Sequence, residues 1–98
     1  MSRGVQKPRL DANHAEVVHT LLDIGCSVQS LASVGLGCPD LIVGRRGVNL
    51  LLEIKDGSKP PSACRLTKME QAFIKRWKGR VFVVHSAEEA IQFVEDYA

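Results

Sequence analysis

Asp40-Leu-Ile-Val-Gly-Arg-Arg-Gly-Val-Asn-Leu-Leu-Leu-Glu-Ile-Lys55 is the stretch whose reading decides the fold. Asp40 to Gly44 and Asn49 to Lys55 are short aliphatic runs, which is the pattern of strands. Arg45-Arg46-Gly47-Val48 joins them as a hairpin turn. Continuous apolar character, in place of alternation, implies a sheet covered on both faces. If the turn is centred between Arg46 and Gly47, Val43 faces Leu50 and Asp40 faces Glu53. Opposed residues share a face. Side chains alternate along a strand, so Lys55 shares that face with Glu53. Two carboxylates and an amine then converge at the open end of the hairpin. A slip of one residue would separate Asp40 from Glu53.

Adjacent carboxylates repel and are stable together only beside a cation. Oxygen donors select magnesium, calcium or manganese. Such an ion polarises a phosphoryl oxygen and lowers the pKa of a bound water. A neighbouring lysine orients or deprotonates that water, or stabilises charge developing on phosphorus. The competing reading is a cross-strand ion pair between Asp40 and Lys55, with Glu53 in solvent. Leu50, Leu51, Leu52 and Ile54 argue against so exposed a strand.

Working outward, Asp11 or Asn13 is placed to cap a helix that runs to about Ile24 and stops at Gly25. Ser27 to Val34 reads as a strand, and Gly35-Leu-Gly-Cys-Pro39 as a break. Asp56 to Ala63 reads as an exposed loop. Leu66 to Trp77 is helical in pattern, with Thr67 or Ser62 near its start and Gly79 as its stop. Val81 to Val84 is a buried strand, and Ser86 caps a helix over Ala87–Tyr97. The order αβββαβα predicts an α/β domain with a mixed central sheet and helices on both faces.

Ninety-eight residues suit a single domain over 1–98, with the basic segment 1–10 as a flexible tail. No apolar run is long enough for a membrane span and no secretory signal is visible, so a cytoplasmic protein with no membrane partner is expected. Cys26, Cys38 and Cys64 are odd in number and form no CxxC pair, which disfavours a zinc site or disulfide framework and suits a reducing compartment. The net charge of +2 conceals a basic middle: residues 45–80 hold ten basic residues against three acidic ones. That asymmetry points to an anionic partner, of which nucleic acid is the commonest. Arg45 and Arg46 at the hairpin tip, and Lys59, Arg65 and Lys68 after Lys55, are the candidate phosphate contacts. Lys75, Arg76, Lys78 and Arg80 follow. Nothing resembles a base-reading module, so shape recognition is expected.

Pro39-Asp40 and Glu53-Ile54-Lys55 resemble the PD-(D/E)XK nuclease motif. The longer Gly37-Cys-Pro-Asp-Leu-Ile-Val-Gly44, Leu-Leu-Glu-Ile-Lys-Asp-Gly57 and Leu66-Thr67 are similar to its virus-type replication-repair nuclease (VRR-NUC) branch. Asp11-Ala-Asn13 with Glu16, and Trp77-Lys-Gly79, also look like that branch. The resemblance implies a restriction-endonuclease-like αβββαβ core. It makes Asp40 and Glu53 the metal carboxylates, the Ile54 carbonyl a further ligand and Lys55 the catalytic lysine. It implies that Glu16 completes the site, although Glu16 lies on the polar side of its helix. The family glutamine falls on Gln71 or, one residue earlier, on Glu70.

Small members of this family resemble Holliday junction resolvases. The expected function is therefore a magnesium-dependent endonuclease, able to use manganese, that cuts branched DNA in replication, recombination or repair in a bacterial or phage-infected cytoplasm. Two cuts in a two-fold junction imply a homodimer. The alternatives are a nuclease for flaps, single strands or duplexes, an inactive nucleic-acid-binding module, or a protein-interaction domain. His14 and His19 read as solvated, His85 as lying past a strand end without a phosphate role, and Trp77 as core.

Overall fold

A computed structural model describes residues 11–98; the tail expected over 1–10 lies outside the described residues. The chain folds as α1 (His14–Asp23), β1 (Ser27–Ser30), β2 (Leu41–Arg45), β3 (Val48–Ile54), α2 (Lys68–Arg76), β4 (Val81–Val84) and α3 (Ala87–Tyr97), with a 3-10 turn at Pro61–Cys64 before α2. The sheet order is β1-β2-β3-β4. β1 and β3 flank β2 antiparallel, whereas β4 joins β3 in parallel, so the sheet is mixed. A parallel neighbour requires a crossover, and the segment carrying α2 supplies it.

The hairpin has the register that its turn dictates: Val43 pairs with Leu50 and Leu41 with Leu52. Arg46 (φ 54°) and Gly47 (φ 80°) are both left-handed, as a two-residue type I′ turn requires. Leu41, Val43, Leu50, Leu52, Ile54 and Val84 form one face of the sheet and pack against Val17 and Leu21 of α1 and Ala90 and Val94 of α3. All ten are at most 1% exposed. Full burial of each branched side chain is worth about 1.5–3 kcal/mol, so this face holds the fold together. Glu53 and Lys55 alternate with that set and point to the opposite face, where α2 lies.

Three local features set the elements. α1 ends in a Schellman motif, with Cys26 N donating to Leu21 O and Gly25 N to Leu22 O around Gly25 at φ 92°. α2 starts with a full capping box between Thr67 and Glu70. β1 ends at Ser30, short of the expected Val34, because the Ser30 hydroxyl accepts from Ala32 N and turns the chain. Asp56, expected in an exposed loop, is buried, and its carboxylate accepts from the Ser58 amide and hydroxyl. No helix of the described residues is long and apolar enough to cross a membrane.

Candidate active site

β2 begins at Leu41, so Asp40 stands at its entry beside the end of β3. Its Oδ2 accepts a 2.7 Å hydrogen bond from the Ile54 amide, which fixes the carboxylate on β3. The GxPD spacing has a steric cause. Gly37 sits at φ 78°, and a Cβ there would collide with the Met69 carbonyl. Only glycine lets the loop before Asp40 lie against the first turn of α2. Pro39 is buried behind it.

Glu53 is 4% exposed. Burial is the main force on its carboxyl, and Asp40 and Glu70 add to it, pushing its pKa up to about 9. Burial also raises Asp40, against the lowering effects of the Ile54 amide and His14. Lys55 Nζ lies 2.9 Å from Glu70 Oε1 and 3.7 Å from Glu53 Oε2. Burial alone would lower the Lys55 ammonium, but Glu70 and Glu53 hold it above its usual value. Burial works to raise Glu70, and the Thr67 amide and Lys55 overcome it, leaving Glu70 below the ordinary range. One lysine thus meets two carboxylates, with Asp40 acting on Glu53 as a third, and the site is short of positive charge.

This deficit tests the fit of a cation. Asp40 and Glu53 are hard oxygen donors whose raised pKa values a divalent ion would reverse. Among the described residues no three His, Cys, Asp or Glu side chains surround one point as a metal cage. Magnesium nonetheless needs no such cage, since that ion keeps several waters and takes only one or two carboxylates from a protein. The residues present fit such an ion.

The remaining candidates fall in different places. Gln71 is exposed and donates to the Leu66 carbonyl at 3.0 Å. Glu70 is the residue that meets Lys55, because N3 of the capping box faces the sheet. Glu16 is exposed on α1 and lines a separate hollow with Asn13, Asp56, Ser58 and His85. It does not figure among the charges acting on Asp40, Glu53 or Lys55, whereas Asp11 acts on both Asp40 and Lys55. His14 is a correction to the solvated reading: its ring is half-buried, Nε2 is enclosed without a partner, and it acts on Asp40. Trp77 is a second correction, being 44% exposed. Arg45 and Arg46 occupy the hairpin tip, at the far end of the sheet from Asp40. Arg45 there donates to the Val94 carbonyl. Lys59, Arg65 and Lys68 are exposed around the loop after Lys55.

Asn13 is a contributor that sequence reading missed. It stands at the N-cap of α1 without capping it. Its Nδ2 donates instead to the carbonyls of Lys55 and His85, both at 3.2 Å, pinning α1 to the ends of β3 and β4. No spacing rule signals such a tether. Glu70 was signalled by Thr67-x-x-Glu70, although that pattern announces a cap and not a partner for Lys55.

Among solved structures, one described as a VRR_NUC domain is 30% identical to this chain, covers 88% of it and 98% of its own length, and superposes with a TM-score of 0.58. The chain belongs to the VRR-NUC family. Its fold is accordingly the PD-(D/E)XK nuclease core. A scan of family models finds no match. A search of curated proteins likewise finds none.

Proposed function

We propose that this VRR-NUC chain is a magnesium-dependent endodeoxyribonuclease that hydrolyses phosphodiesters in branched DNA, in the manner of a Holliday junction resolvase. The observation that carries the reading is the buried carboxylate pair Asp40 and Glu53 with Lys55 beside it, a set whose raised carboxyl pKa values suit a divalent cation. Asp40, Glu53 and the Ile54 carbonyl would hold Mg2+, with Mn2+ able to substitute. The bound ion supplies polarisation of a phosphoryl oxygen and an acidified water.

The chain's own residues do the rest. Glu70 keeps Lys55 protonated, so Lys55 acts as a donor that orients the attacking water and stabilises the charge growing on the phosphoryl oxygens, not as a proton acceptor. The amide of Ile54 holds Asp40 in place. Lys59, Arg65 and Lys68 offer phosphate contacts that carry affinity without sequence preference. A four-way junction is two-fold symmetric, and one site per chain then calls for a C2 homodimer.

The test is to incubate the protein with four-way junction, flap, single-stranded and duplex DNA, in magnesium, manganese or chelator. Junction cutting that needs the metal and disappears in Glu53→Gln and Lys55→Ala supports the reading. Failure to cut any substrate with either metal rejects it. Preferred cutting of flaps or single strands would keep the chemistry and change the substrate. Sedimentation that shows only a 10.8 kDa species at micromolar concentration would reject the dimer.

A further inference from the structure

The end of α2 carries a second constellation that catalysis leaves unused, in Arg76-Trp77-Lys78-Gly79-Arg80. Trp77 is the chain's one tryptophan, and its indole is 44% exposed. The indole is held in place. It stacks on the buried Phe73 ring with centroids 4.9 Å apart and planes at 16°. A Cβ at Gly79 would come within 2.9 Å of its Nε1, so the missing side chain leaves the indole its position.

The surroundings are cationic. The Arg76 guanidinium lies 4.7 Å from the Phe73 centroid, and that of Arg80 4.7 Å from the Tyr97 centroid. Arg76, Trp77, Lys78 and Gly79 line an open hollow of about 460 Å³. None of these three cations is paired with a carboxylate among the described residues.

A single exposed apolar side chain is ordinary. A rigid aromatic ring backed by a second ring, rimmed by unpaired cations and open to a hollow is the arrangement on which unpaired bases stack. We propose that this corner is a stacking platform for an unpaired nucleotide of the DNA substrate. The proposal rests on the DNA reading above and specifies it, because duplex bases offer no free face. Phe73, on which Trp77 stacks, follows Glu70 by three residues on α2, so the platform and the partner of Lys55 belong to one helix. Stacking tolerates any base, which agrees with the absence of a base-reading module.

Trp77 reports on its own occupancy. The full chain, in chelator so that nothing is cut, is titrated with a short oligothymidylate and with a blunt duplex while tryptophan fluorescence is followed. The expected result is strong quenching by the single strand and little by the duplex. Trp77→Ala should weaken oligothymidylate binding roughly 5- to 100-fold and leave duplex affinity unchanged, while Trp77→Phe retains most of it. Lys78→Gln, which removes a cation lining the hollow and leaves both rings in place, should reduce the salt slope of single-strand binding by about one. Equal quenching by duplex would overturn the proposal. So would unaltered single-strand affinity in Trp77→Ala, including the case where that variant changes only the sedimentation of the protein and reveals a self-contact. Quenching that persists in a protein that cuts nothing would sink the nuclease reading and leave the platform standing. Metal-dependent cutting without quenching would do the reverse.

Discussion

Leu52 and Glu53 are neighbours on β3 and face opposite ways. Leu52 enters a face where ten side chains from two helices and three strands close without solvent. Glu53, almost as buried, enters a face where carboxylates crowd one lysine and a single short helix provides the cover. One face has burial and pairing in agreement. The other has burial in conflict with charge. A strand that alternates between the two uses the stability of the first to hold the strain of the second.

The contrast is broken most strongly at Glu53. On the proposed reading, in which Glu53 would hold the metal, Glu53→Gln should lower DNA cleavage by roughly two to four orders of magnitude. In chelator the same variant should be more stable than the parent at pH 8. The sign follows from linkage. The folded pKa of Glu53, about 9, stands above its ordinary 4.5, so the native state binds the extra proton. The stability this contributes is complete below about pH 4.5 and is lost as pH rises through 9, with a slope of up to about 1.4 kcal/mol per pH unit for one proton. Asp40 is raised in the same direction. Glu70 is lowered, so its contribution is lost instead on acidification. Urea midpoints against pH, with and without magnesium, measure this. A metal-free parent whose stability stays flat from pH 5 to pH 9 would show that Glu53 is not strained.

On the opposite face Leu52→Ala should cost about 2–5 kcal/mol, because a fully buried leucine leaves a cavity between the sheet and the helices. Its residual folded fraction should still cleave at the parental rate per folded molecule. A cost under about 1 kcal/mol would mean that the core collapses around the gap.

Legibility in the sequence divides along the same line. The hairpin register and the helix termini follow from nearest neighbours: Arg46-Gly47 fixes the turn, Gly25 the end of α1, and Thr67 with Glu70 the start of α2. Glu53 and Lys55 share a face by alternation alone. What stayed hidden depends on contacts across the chain. Asn13 reads as a cap and serves as a tether to Lys55 and His85, 42 and 72 residues away. Glu70 reads as a cap and also holds Lys55. Glu16 and Gln71, both drawn from the family pattern, point elsewhere because each one's helix rotation carries it off the site. Trp77 reads as core by composition, yet α2 ends before it.

Gly37 tests how tightly the charged face is assembled. Gly37→Ala combines a left-handed φ of 78° with a collision against the Met69 carbonyl. The expected cost is about 1–3 kcal/mol of stability. Relief requires α2 to move away, which draws Glu70 off Lys55. Cleavage should then fall further than stability explains, and the pH–rate profile should shift to lower pH on its basic limb as Lys55 loses the partner that keeps it charged. Lost stability with an unaltered pH profile would show that the loop yields and α2 stays.

The smallest effect belongs to the hairpin tip, remote from both faces. Arg46 holds φ at 54°, a conformation that costs a residue with a Cβ roughly 1 kcal/mol and that asparagine tolerates better. Arg46→Asn should therefore raise stability by about 0.5 kcal/mol, read as a higher urea midpoint at unchanged slope. The register cannot move, because Arg45 still pairs with Val48 across the turn. Asp40 and Glu53 should accordingly stay opposed and the metal dependence of cleavage should not change. If the tip contacts a phosphate, the salt slope of DNA binding drops by about one while the stability gain remains, because the first effect comes from the side-chain charge and the second from the backbone. A loss of stability would mean that the Arg46 side chain packs on the fold strongly enough to offset the strain of its turn.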